Sequence, residues 1–566
     1  MKSILQAGIS MLVFLGVVSC GSQVGEPPNT SDELARKYRQ SVVVSARQEA
    51  SDTGAEVMRN GGTAFDAMVA TDFALAVCFP FAGNIGGGGF MVYRTAIGEV
   101  GSLDYRETAP DAAHERMFQD SLGNVVMGLS TEGALAAGIP GTVAGLWETH
   151  RKFGSMPWAD LVQPAIDLAE RGFVVTERQA AMLARAQDAF AAINPEIILF
   201  LNDWKAGDTI KQPALARTLR KIRDNGRDGF YRGEIARRSV DFIQENGGIW
   251  SLDDLAGYEP VWRDALQFDF QEYDVTTMGL PSSGGILLAQ MLIALEDRNL
   301  ENLEHNSPEY IQLVARAMQL AYTDRTLLGD PGFTEVDVAR LLNKDYIQER
   351  MLNADLARDV WHEELIPDEK DETTHYSIVD SYGNAIAVTT TINGAYGSKL
   401  YSNELGYFFN NEMDDFSSKP GASNMFGLLG SYANRIEPGK RMLSSMTPTI
   451  VSKERDLYMV LGSPGGSTII TTVLQNILNT TQYDMSMQES VSAARFHHQW
   501  RPDELILEPG RFSPSVFEAL KRDFGYAVTE RQSRILGKVD AVKVTDGELE
   551  TGADPRGDDA SAVVEH

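Results

Sequence analysis

One junction in this sequence separates an acidic, proline-containing segment from a pair of strands. Residues 366–372 read Ile-Pro-Asp-Glu-Lys-Asp-Glu, and the residues that follow show the alternating Thr, His, Tyr, Ser and Val typical of a strand. Such a change of composition is expected where a surface loop enters a sheet. The strands predicted after it, 374–380 and 384–393, are separated by Ser-Tyr-Gly, a hairpin loop with glycine where a positive φ is needed.

The predicted hairpin brings two threonines together. Counting outward from Tyr382, Asp380 lies opposite Asn384, and nine residues either side of the turn Thr373 lies opposite Thr391. Cross-strand neighbours share one face of a sheet, so the two hydroxyls are predicted to lie within reach of each other. From the hairpin alone, a threonine-rich sheet without chemistry is the simpler interpretation.

Cleavage of the chain before Thr373 would give that residue its own base. A terminal threonine carries both a hydroxyl and an α-amine, and such an amine titrates at about 7.7 to 8. This arrangement is a known variant of nucleophile-plus-base catalysis. While the bond from Glu372 is intact, the same nitrogen is an amide and cannot act as a base. His375 is expected to face away from Thr373 and to support the strand.

Composition limits the class of protein. The chain has 566 residues, of which 43% are hydrophobic, so it can bury a large core; its net charge of −29 argues against nucleic-acid binding, which requires a basic face. Helix and strand patterns alternate, with helices predicted over 142–153, 158–171 and 308–327 among others. Strand density rises after Thr373, and 176–264 is more purely helical. These patterns predict a mixed α/β fold with a helical lobe.

The N-terminus has the form of a lipoprotein signal peptide over residues 1–20. Lys2 precedes an apolar run that is too short to span a bilayer as a helix. The run ends Val-Val-Ser-Cys-Gly, which resembles the bacterial lipobox and predicts lipid attachment to Cys20, followed by a tether over 21–31. Secretion with an incidental cysteine is the alternative. We expect an exported bacterial protein, periplasmic or at the cell surface, anchored to the membrane and without disulfides, because only Cys78 remains.

Two glycine-rich loops differ in what they suggest. Residues 83–89 lack the spacing of nucleotide-binding loops, which argues against a phosphate site. Residues 462–467, Gly-Ser-Pro-Gly-Gly-Ser, lie between a predicted strand and a helix starting near Ile469, where free backbone N–H groups could form an oxyanion hole. The adjacent His497 and His498 have no accompanying metal-ligand spacing, so we expect no metal and no cofactor.

Ordered motifs extend across nearly the whole chain after the tether. In the second half they are Thr-Thr-His-Tyr-Ser from 373, Ala-Val-Thr-Thr-Thr-Ile-Asn from 387, Phe-Asn-Asn-Glu-Met-Asp-Asp-Phe-Ser from 409, Leu-Ser-Ser-Met from 443, Gly-Ser-Pro-Gly-Gly-Ser from 462 and Arg-Phe-His-His-Gln-Trp from 495. In the first half they are Asn-Ile-Gly-Gly-Gly-Gly from 84, Leu-Asp-Tyr-Arg-Glu from 103, Gly-Ile-Pro-Gly from 138 and Pro-Ser-Ser-Gly-Gly from 281. Together they resemble the γ-glutamyltranspeptidases, also called glutathione hydrolases.

The resemblance implies an N-terminal nucleophile hydrolase: a four-layer αββα sandwich made as a precursor that cuts itself. By this resemblance the cut lies between Glu372 and Thr373. A large subunit, 32–372, which would contain the helical lobe, and a small catalytic subunit, 373–566, would stay together as a heterodimer with one αββα core. Thr373 would attack the γ-glutamyl amide of glutathione or a related compound. Water, an amino acid or a dipeptide would then release the γ-glutamyl group from its threonine ester.

The resemblance also implies roles for individual residues. The catalytic set is Thr373, Thr391 as a supporting hydroxyl, and the oxyanion-hole pair Gly465 and Gly466. A γ-glutamyl head group is a zwitterion, so it requires a cation for its α-carboxylate and acceptors for its α-ammonium. The matching residues are Arg106, Ser444 and Ser445 for the carboxylate, and Asp415, Glu412 and Asn393 for the ammonium.

One departure from the family and two alternatives accompany this interpretation. Residues 419–427 resemble a lid loop of several bacterial members, but Phe426 stands where tyrosine is common, so one hydrogen bond of the lid is lost. A glutaryl-cephalosporin acylase-like amidase would differ around the head group, whereas Arg106 and Asp415 are both present and favour γ-glutamyl substrates. A non-catalytic binding lipoprotein would be expected to have lost Thr373, Thr391 or the Gly465–Gly466 pair, and none of these is lost.

Overall fold

The computed structural model describes residues 36–353, 373–530 and 535–566. The predicted signal peptide, Cys20, the tether and Glu372 all lie outside these ranges. Within them, no helix combines the length and the apolar character needed to cross a membrane, and no cluster of three or more His, Cys, Asp or Glu side chains could hold a metal ion.

Two antiparallel sheets form the centre of the described structure. The strands are β1 (Gln40–Ser45), β2 (Gly88–Arg94), β3 (Val100–Tyr105), β4 (Phe173–Val174), β5 (Thr209–Ile210), β6 (Val261–Arg263), β7 (Leu266–Phe270), β8 (Tyr273–Thr277), β9 (Thr374–Val379), β10 (Ala385–Thr391), β11 (Thr449–Lys453), β12 (Asp456–Gly462), β13 (Phe496–His497), β14 (Leu505–Leu507), β15 (Val528–Glu530), β16 (Asp540–Thr545), β17 (Glu548–Ala553) and β18 (Ala560–Glu565). The first sheet has the order β18-β1-β9-β10-β2-β3-β6 and the second the order β17-β16-β12-β11-β8-β7.

Helices flank these sheets. They are α1 (Gln48–Arg59), α2 (Ala64–Cys78), α3 (Thr142–Phe153), α4 (Trp158–Arg171), α5 (Glu177–Ile193), α6 (Pro213–Asn225), α7 (Asp228–Tyr231), α8 (Gly233–Glu245), α9 (Leu252–Gly257), α10 (Gly284–Leu295), α11 (Pro308–Asp324), α12 (Val338–Leu341), α13 (Lys344–Asn353), α14 (Ile469–Gln482), α15 (Met487–Ser492) and α16 (Pro514–Arg522).

The packing gives four layers, as predicted. Val379 of the first sheet and Val460 of the second lie in one apolar core between the sheets. On the opposite face of the first sheet, Ile378 packs in a core shared with α2, while Met459 on the outer face of the second sheet packs with α10, α11 and α14. Because helices cover both outer faces, every residue of β9 and β10 is buried.

The turn between β9 and β10 is fixed by one carboxylate. Asp380 accepts hydrogen bonds from the backbone N–H groups of Tyr382, Gly383 and Asn384 at 2.9 to 3.0 Å. Its second oxygen accepts from the N–H of Ala64, the first residue of α2, at 2.9 Å. Gly383 has φ +98°, the left-handed conformation predicted for it. The hairpin is therefore tied to the helix behind it.

The helical lobe is shorter than predicted. Helices α5 to α9 lie within residues 177–257, but β6 pairs with β3 and so returns the chain to the first sheet before residue 264. A three-residue strand carries too little periodic signal to be recognised. Phe190 and Ile222 of the lobe belong to the same core as the first sheet, so the lobe is packed onto the sandwich rather than separate from it.

Candidate active site

Thr373 and Thr391 face each other at the end of the hairpin. The ladder pairs Thr374 with Thr390, and the next step outward places Thr373 opposite Thr391, which confirms the predicted register. The two Oγ1 atoms are 3.4 Å apart, and both residues are buried. Thr391 Oγ1 also accepts a hydrogen bond from the N–H of Asn393 at 2.8 Å. Since Val379 on the same face of β9 packs between the sheets, Thr373 points toward the second sheet.

The expectation that His375 faces away from Thr373 is wrong. Side chains two residues apart in a strand lie on the same face, and the ring of His375 bonds to Thr389 at 2.9 Å and to Ser377 at 3.1 Å on that face. Burial lowers the pKa of His375 to about 3, so the ring is neutral near pH 7. Both ring nitrogens are occupied by hydroxyls, which leaves His375 a support for the strands.

The loop after β12 contains the two glycines predicted to form the oxyanion hole. The backbone N–H groups of Gly465 and Gly466 donate no hydrogen bond to any residue that the structure describes. The loop is held from both sides, because Thr468 binds the Gly465 carbonyl through its N–H and its hydroxyl, and Tyr322 of α11 donates to the carbonyl of Ser467. Fixed, unpaired donors at the start of a helix suit a developing oxyanion.

A cavity of about 270 Å³ joins these elements. Of the ten predicted catalytic and binding residues, Gly465 alone is absent from its wall. The wall includes Thr373, Thr391, Gly466, Arg106, Asn393, Glu412, Asp415, Ser444 and Ser445, together with Phe426, Met446 and Ile469. Another cavity, of about 300 Å³, lies between α2 and the helical lobe and is lined by none of the predicted residues.

At one side of the cavity a buried arginine is surrounded by carboxylates. Arg106 follows β3, is fully buried, and binds Glu412 and the Oδ2 atom of Asp415, the latter at 2.5 Å. A third carboxylate, Glu107, lies 3.8 Å from Arg106 Nη1 and has no hydrogen-bond partner among the described residues. Burial raises the pKa of Glu107 above its ordinary value, against the attraction of Arg106. Burial likewise raises the pKa values of Glu412 and Asp415, against the attraction of Arg106.

Ser444 and Ser445 stand beside this cluster. The backbone of Ser444 exchanges hydrogen bonds with Pro281 and Ser283 at 2.9 and 2.8 Å, which joins the Leu-Ser-Ser-Met and Pro-Ser-Ser-Gly-Gly motifs. Ser445 Oγ is buried, with no partner in the described part of the chain. Leaving such a group unpaired costs about 1–3 kcal/mol. An oxygen of a ligand in the cavity would recover that energy.

The segment 419–427, here called the lid, closes over the same cavity. Its turn is built by Asn424 Oδ1, which accepts from the N–H groups of Phe426 and Leu428 at 3.0 and 3.1 Å. The Phe426 ring packs directly on Gly466, where a Cβ atom would lie 2.4 Å from the ring. Gln499 donates to the Phe426 carbonyl at 3.1 Å. Without a tyrosine hydroxyl, the lid is held by ring packing, by the bond from Gln499 and by bonds to Asp414 and Asp415.

Three residues near the cavity were missed at the sequence level. Glu107 could have been noticed, because it directly follows Arg106. Asp414 binds Ser130 and the lid. The side chain of Arg325, a residue only 7% exposed, makes no hydrogen bond or ion pair with the residues described here, although Asp415 lies within electrostatic reach. The positions of Asp414 and Arg325 depend on packing between distant segments, so no local sequence pattern marks these residues.

Comparison with known proteins points to one family. The family model described as gamma-glutamyltranspeptidase matches residues 50–564. The protein named "Glutathione hydrolase proenzyme" of Pseudomonas aeruginosa is 42% identical over 544 residues, 94% of this chain and 96% of that protein. The protein of the same name from Escherichia coli strain K12 is 40% identical over 564 residues, 96% of this chain and 97% of that protein.

Solved structures are similar as well. A crystal structure of Helicobacter pylori gamma-glutamyltranspeptidase matches with a TM-score of 0.53 at 40% identity, over 57% of this chain and 92% of that one. A cephalosporin acylase from Bacillus halodurans matches with a TM-score of 0.80 at 21% identity, over 97% of this chain and 99% of that one. The second likeness concerns the fold alone.

Proposed function

Because the chain belongs to the γ-glutamyltranspeptidase family, we propose that Thr373 is the nucleophile with which it cleaves γ-glutamyl amides. The protein is a γ-glutamyl hydrolase and transferase. Glutathione is the donor that the names of its relatives indicate, with water, an amino acid or a dipeptide as acceptor. The observation that carries the assignment of residues is one cavity containing both the Thr373–Thr391 pair and the Arg106 cluster.

The reaction proceeds through an ester. Thr373 Oγ1 attacks the γ-carbonyl carbon while the α-amine of the same residue takes the hydroxyl proton, and the N–H groups of Gly465 and Gly466 stabilise the oxyanion. The C–N bond then breaks, and the α-ammonium protonates the departing amine. In the second half, water or an acceptor amine gives a proton to the α-amine and attacks the ester carbon. The bond from that carbon to Thr373 Oγ1 then breaks, and the α-ammonium returns the proton to Oγ1. Removing one oxyanion donor typically costs about 10²–10³ in rate.

A γ-glutamyl head group can replace the ion pairs that Arg106 makes with Glu412 and Asp415. The α-carboxylate of a γ-glutamyl donor takes Arg106, with Ser444 and Ser445 donating hydroxyls, while the α-ammonium is accepted by Asp415, Glu412 and the side-chain oxygen of Asn393. The α-carboxylate thus takes the place of the protein carboxylates on Arg106, and the α-ammonium takes the place of Arg106 as the cation beside those carboxylates. A glutaryl donor has no ammonium and would leave buried carboxylates unpaired, which is costly. The acylase alternative is therefore disfavoured.

Maturation is proposed to occur by self-cleavage between Glu372 and Thr373. Support comes from the strand order, because β1, from the large subunit 32–372, lies between β18 and β9 of the small subunit 373–566. The second sheet likewise combines β7 and β8 with later strands. Two products that share both sheets, and are interleaved in the first, would stay together as a heterodimer after the bond is cut.

Export and membrane attachment through Cys20 are also proposed. The support is the signal-like segment 1–20 with its lipobox, and the tether 21–31. Labelling of cells with a radioactive fatty acid should mark the protein, and Cys20→Ala should abolish the label and release the protein from membranes. Equal labelling of both forms would refute lipid attachment.

One preparation tests the catalytic assignment. The chain without its first twenty residues should give two bands on a denaturing gel, with Thr373 at the start of the smaller one, and should release p-nitroaniline from its γ-glutamyl anilide. Thr373→Ala should remain a single inactive band. Thr374→Ala is the matched control, because that side chain belongs to the other face of β9. An uncut, active wild-type protein would end the terminal-nucleophile account.

A further inference from the structure

The lid is held by two neighbouring carboxylates at the edge of the head-group pocket. Asn424 Nδ2 donates to Asp415 Oδ1 at 3.0 Å, and the N–H of Met425 donates to Asp414 Oδ2 at 2.9 Å. Asp414 is anchored in turn by the Ser130 hydroxyl, which donates to its Oδ1 at 2.6 Å. The lid thus bonds directly to the turn that carries the pocket carboxylates.

Asp415 is shared between the pocket and the lid. Its Oδ2 accepts from Arg106 at 2.5 Å, while its Oδ1 accepts from the lid amide. When a donor's α-carboxylate takes Arg106, the bond from Asn424 is what continues to orient the Asp415 carboxylate toward the incoming ammonium. A carboxylate has enough lone pairs to accept both groups at once.

Asn424 uses its two ends for different tasks. Its oxygen closes the turn of the lid by accepting from the N–H groups of Phe426 and Leu428, and its amide crosses to Asp415. At the other side of that turn, Phe426 covers Gly466. A continuous set of contacts therefore runs from the head-group pocket through Asn424 to the oxyanion glycine.

We propose that Asn424 is a positioning residue that couples occupation of the head-group pocket to closure of the lid over the oxyanion loop. The inference rests on the proposed function, because it takes Asp415 as the partner of the donor's α-ammonium. It makes the γ-glutamyl head group the ligand that stabilises the closed position of the lid, with Phe426 over Gly466.

The variant Asn424→Asp tests the side-chain NH₂ group of Asn424 separately from its side-chain oxygen. The new carboxylate keeps the oxygen that closes the turn but replaces the donor facing Asp415 with a like charge. We expect the donor KM to rise at least about tenfold near pH 8, equivalent to about 1.4 kcal/mol, with self-cleavage and Tm unchanged. The loss relative to wild type should diminish as the pH falls and the new carboxyl regains a proton. The charged groups around this contact are Arg106, Glu107, Glu412, Asp414 and Arg325. All of them are present in both the variant and the wild type, so the difference between the two pH profiles reports the new carboxyl.

Hydrogen exchange of the lid gives a readout that does not depend on turnover. In wild type, L-glutamate, which carries the same head group, should slow exchange of the amides in 419–428, and Asn424→Asp should lose that response. Lys419→Ala is the matched control: it removes a contact from the lid to the Gly123 carbonyl, remote from the pocket, and should keep the response. The double variant Asp415→Asn with Asn424→Asp swaps the donor and the acceptor of this hydrogen bond. The hydrogen-exchange rate of the ligand-free lid should therefore return to the wild-type value.

The outcomes separate the two proposals. A wild-type protein that turns over γ-glutamyl donors, but in which Asn424→Asp leaves both KM and the glutamate response unchanged, overturns the coupling and leaves the function intact. A wild-type protein without γ-glutamyl turnover overturns the proposed function. Failure of the double variant to restore exchange also contradicts the assigned contact between residues 424 and 415.

Discussion

Asp415→Asn should change which donors are accepted, more than it changes the catalytic step. The side chain is 9% exposed and its partner Arg106 is fully buried, so solvent screens their contacts weakly. Asparagine keeps one acceptor oxygen but loses the negative charge that the α-ammonium of a γ-glutamyl donor requires. A glutaryl donor lacks that ammonium, so the substitution removes no ionic contact from it.

The size of the effect follows from the contact removed. Hydrogen bonds to charged groups contribute about 1.5–3 kcal/mol, and 1.4 kcal/mol is a factor of about ten. We therefore expect kcat/KM for γ-glutamyl-p-nitroanilide to fall by about 10- to 150-fold. For glutaryl-p-nitroanilide it should stay within about threefold or rise, because the unpaired buried charge that opposes this donor is gone.

Initial rates with the two anilides, measured on the self-cleaved enzyme, give the ratio directly. Asp414→Asn is the control, since Asp414 is a neighbouring carboxylate that binds the lid and does not line the cavity; its ratio of the two donors should stay close to wild type. Equal losses for both donors in Asp415→Asn would refute the reasoning. Asp415 would then act by holding Arg106 in place rather than by contacting the ammonium.

Further predictions concern the oxyanion loop, the hairpin turn and a buried acidic pair. Gly466→Ala should lose most activity, because φ is +52° and the new methyl would overlap the Phe426 ring, whereas Gly421→Ala, at φ +85° in open space, should keep the wild-type rate of γ-glutamyl anilide hydrolysis. Asp380→Ala should lower the free energy of unfolding by roughly 2–4 kcal/mol in denaturant titrations, because the buried N–H groups of Ala64 and Asn384 lose their acceptor; a wild-type midpoint would contradict the role given to this carboxylate. Asp540 and Asp559 have four buried carboxylate oxygens without a donor in the described residues, and burial raises the pKa of Asp559 to about 6. The folded state therefore holds a proton that the unfolded chain releases near its ordinary pKa of 3.8, so this contribution to stability is complete below that value and is lost as the pH rises through about 6. Asp559→Asn should flatten the stability profile over that window, and an unchanged profile would show that the pair holds no such proton.

Local signals in the sequence predicted a large part of the fold. Helices α3 and α4 have the bounds predicted for them, because proline, glycine and apolar periodicity mark their ends. The helix predicted over 308–327 is α11 followed by a 3₁₀ turn at Arg325–Leu327. The register of the hairpin followed from its loop length alone, and so did the meeting of Thr373 with Thr391.

What could not be predicted depends on contacts between distant segments. The bonds from Asn424 to Asp415 and from Tyr322 to Ser467 join residues whose local sequences contain no sign of each other. β6 is too short to carry a period. The burial that raises the pKa of Glu107 comes from the packing of whole layers, and no local sequence pattern predicts that packing.

The position of β9 inside the sheet has a consequence for the entropy of the reaction. The ends of most chains are their least ordered parts. Here the terminus made by the proposed cut begins a strand placed between β1 and β10 instead of at an edge. Fixing the backbone of one residue costs about 1–2 kcal/mol in conformational entropy. Folding of the precursor has already incurred that cost, so a terminal residue that would fray in most proteins enters each catalytic cycle already immobilised.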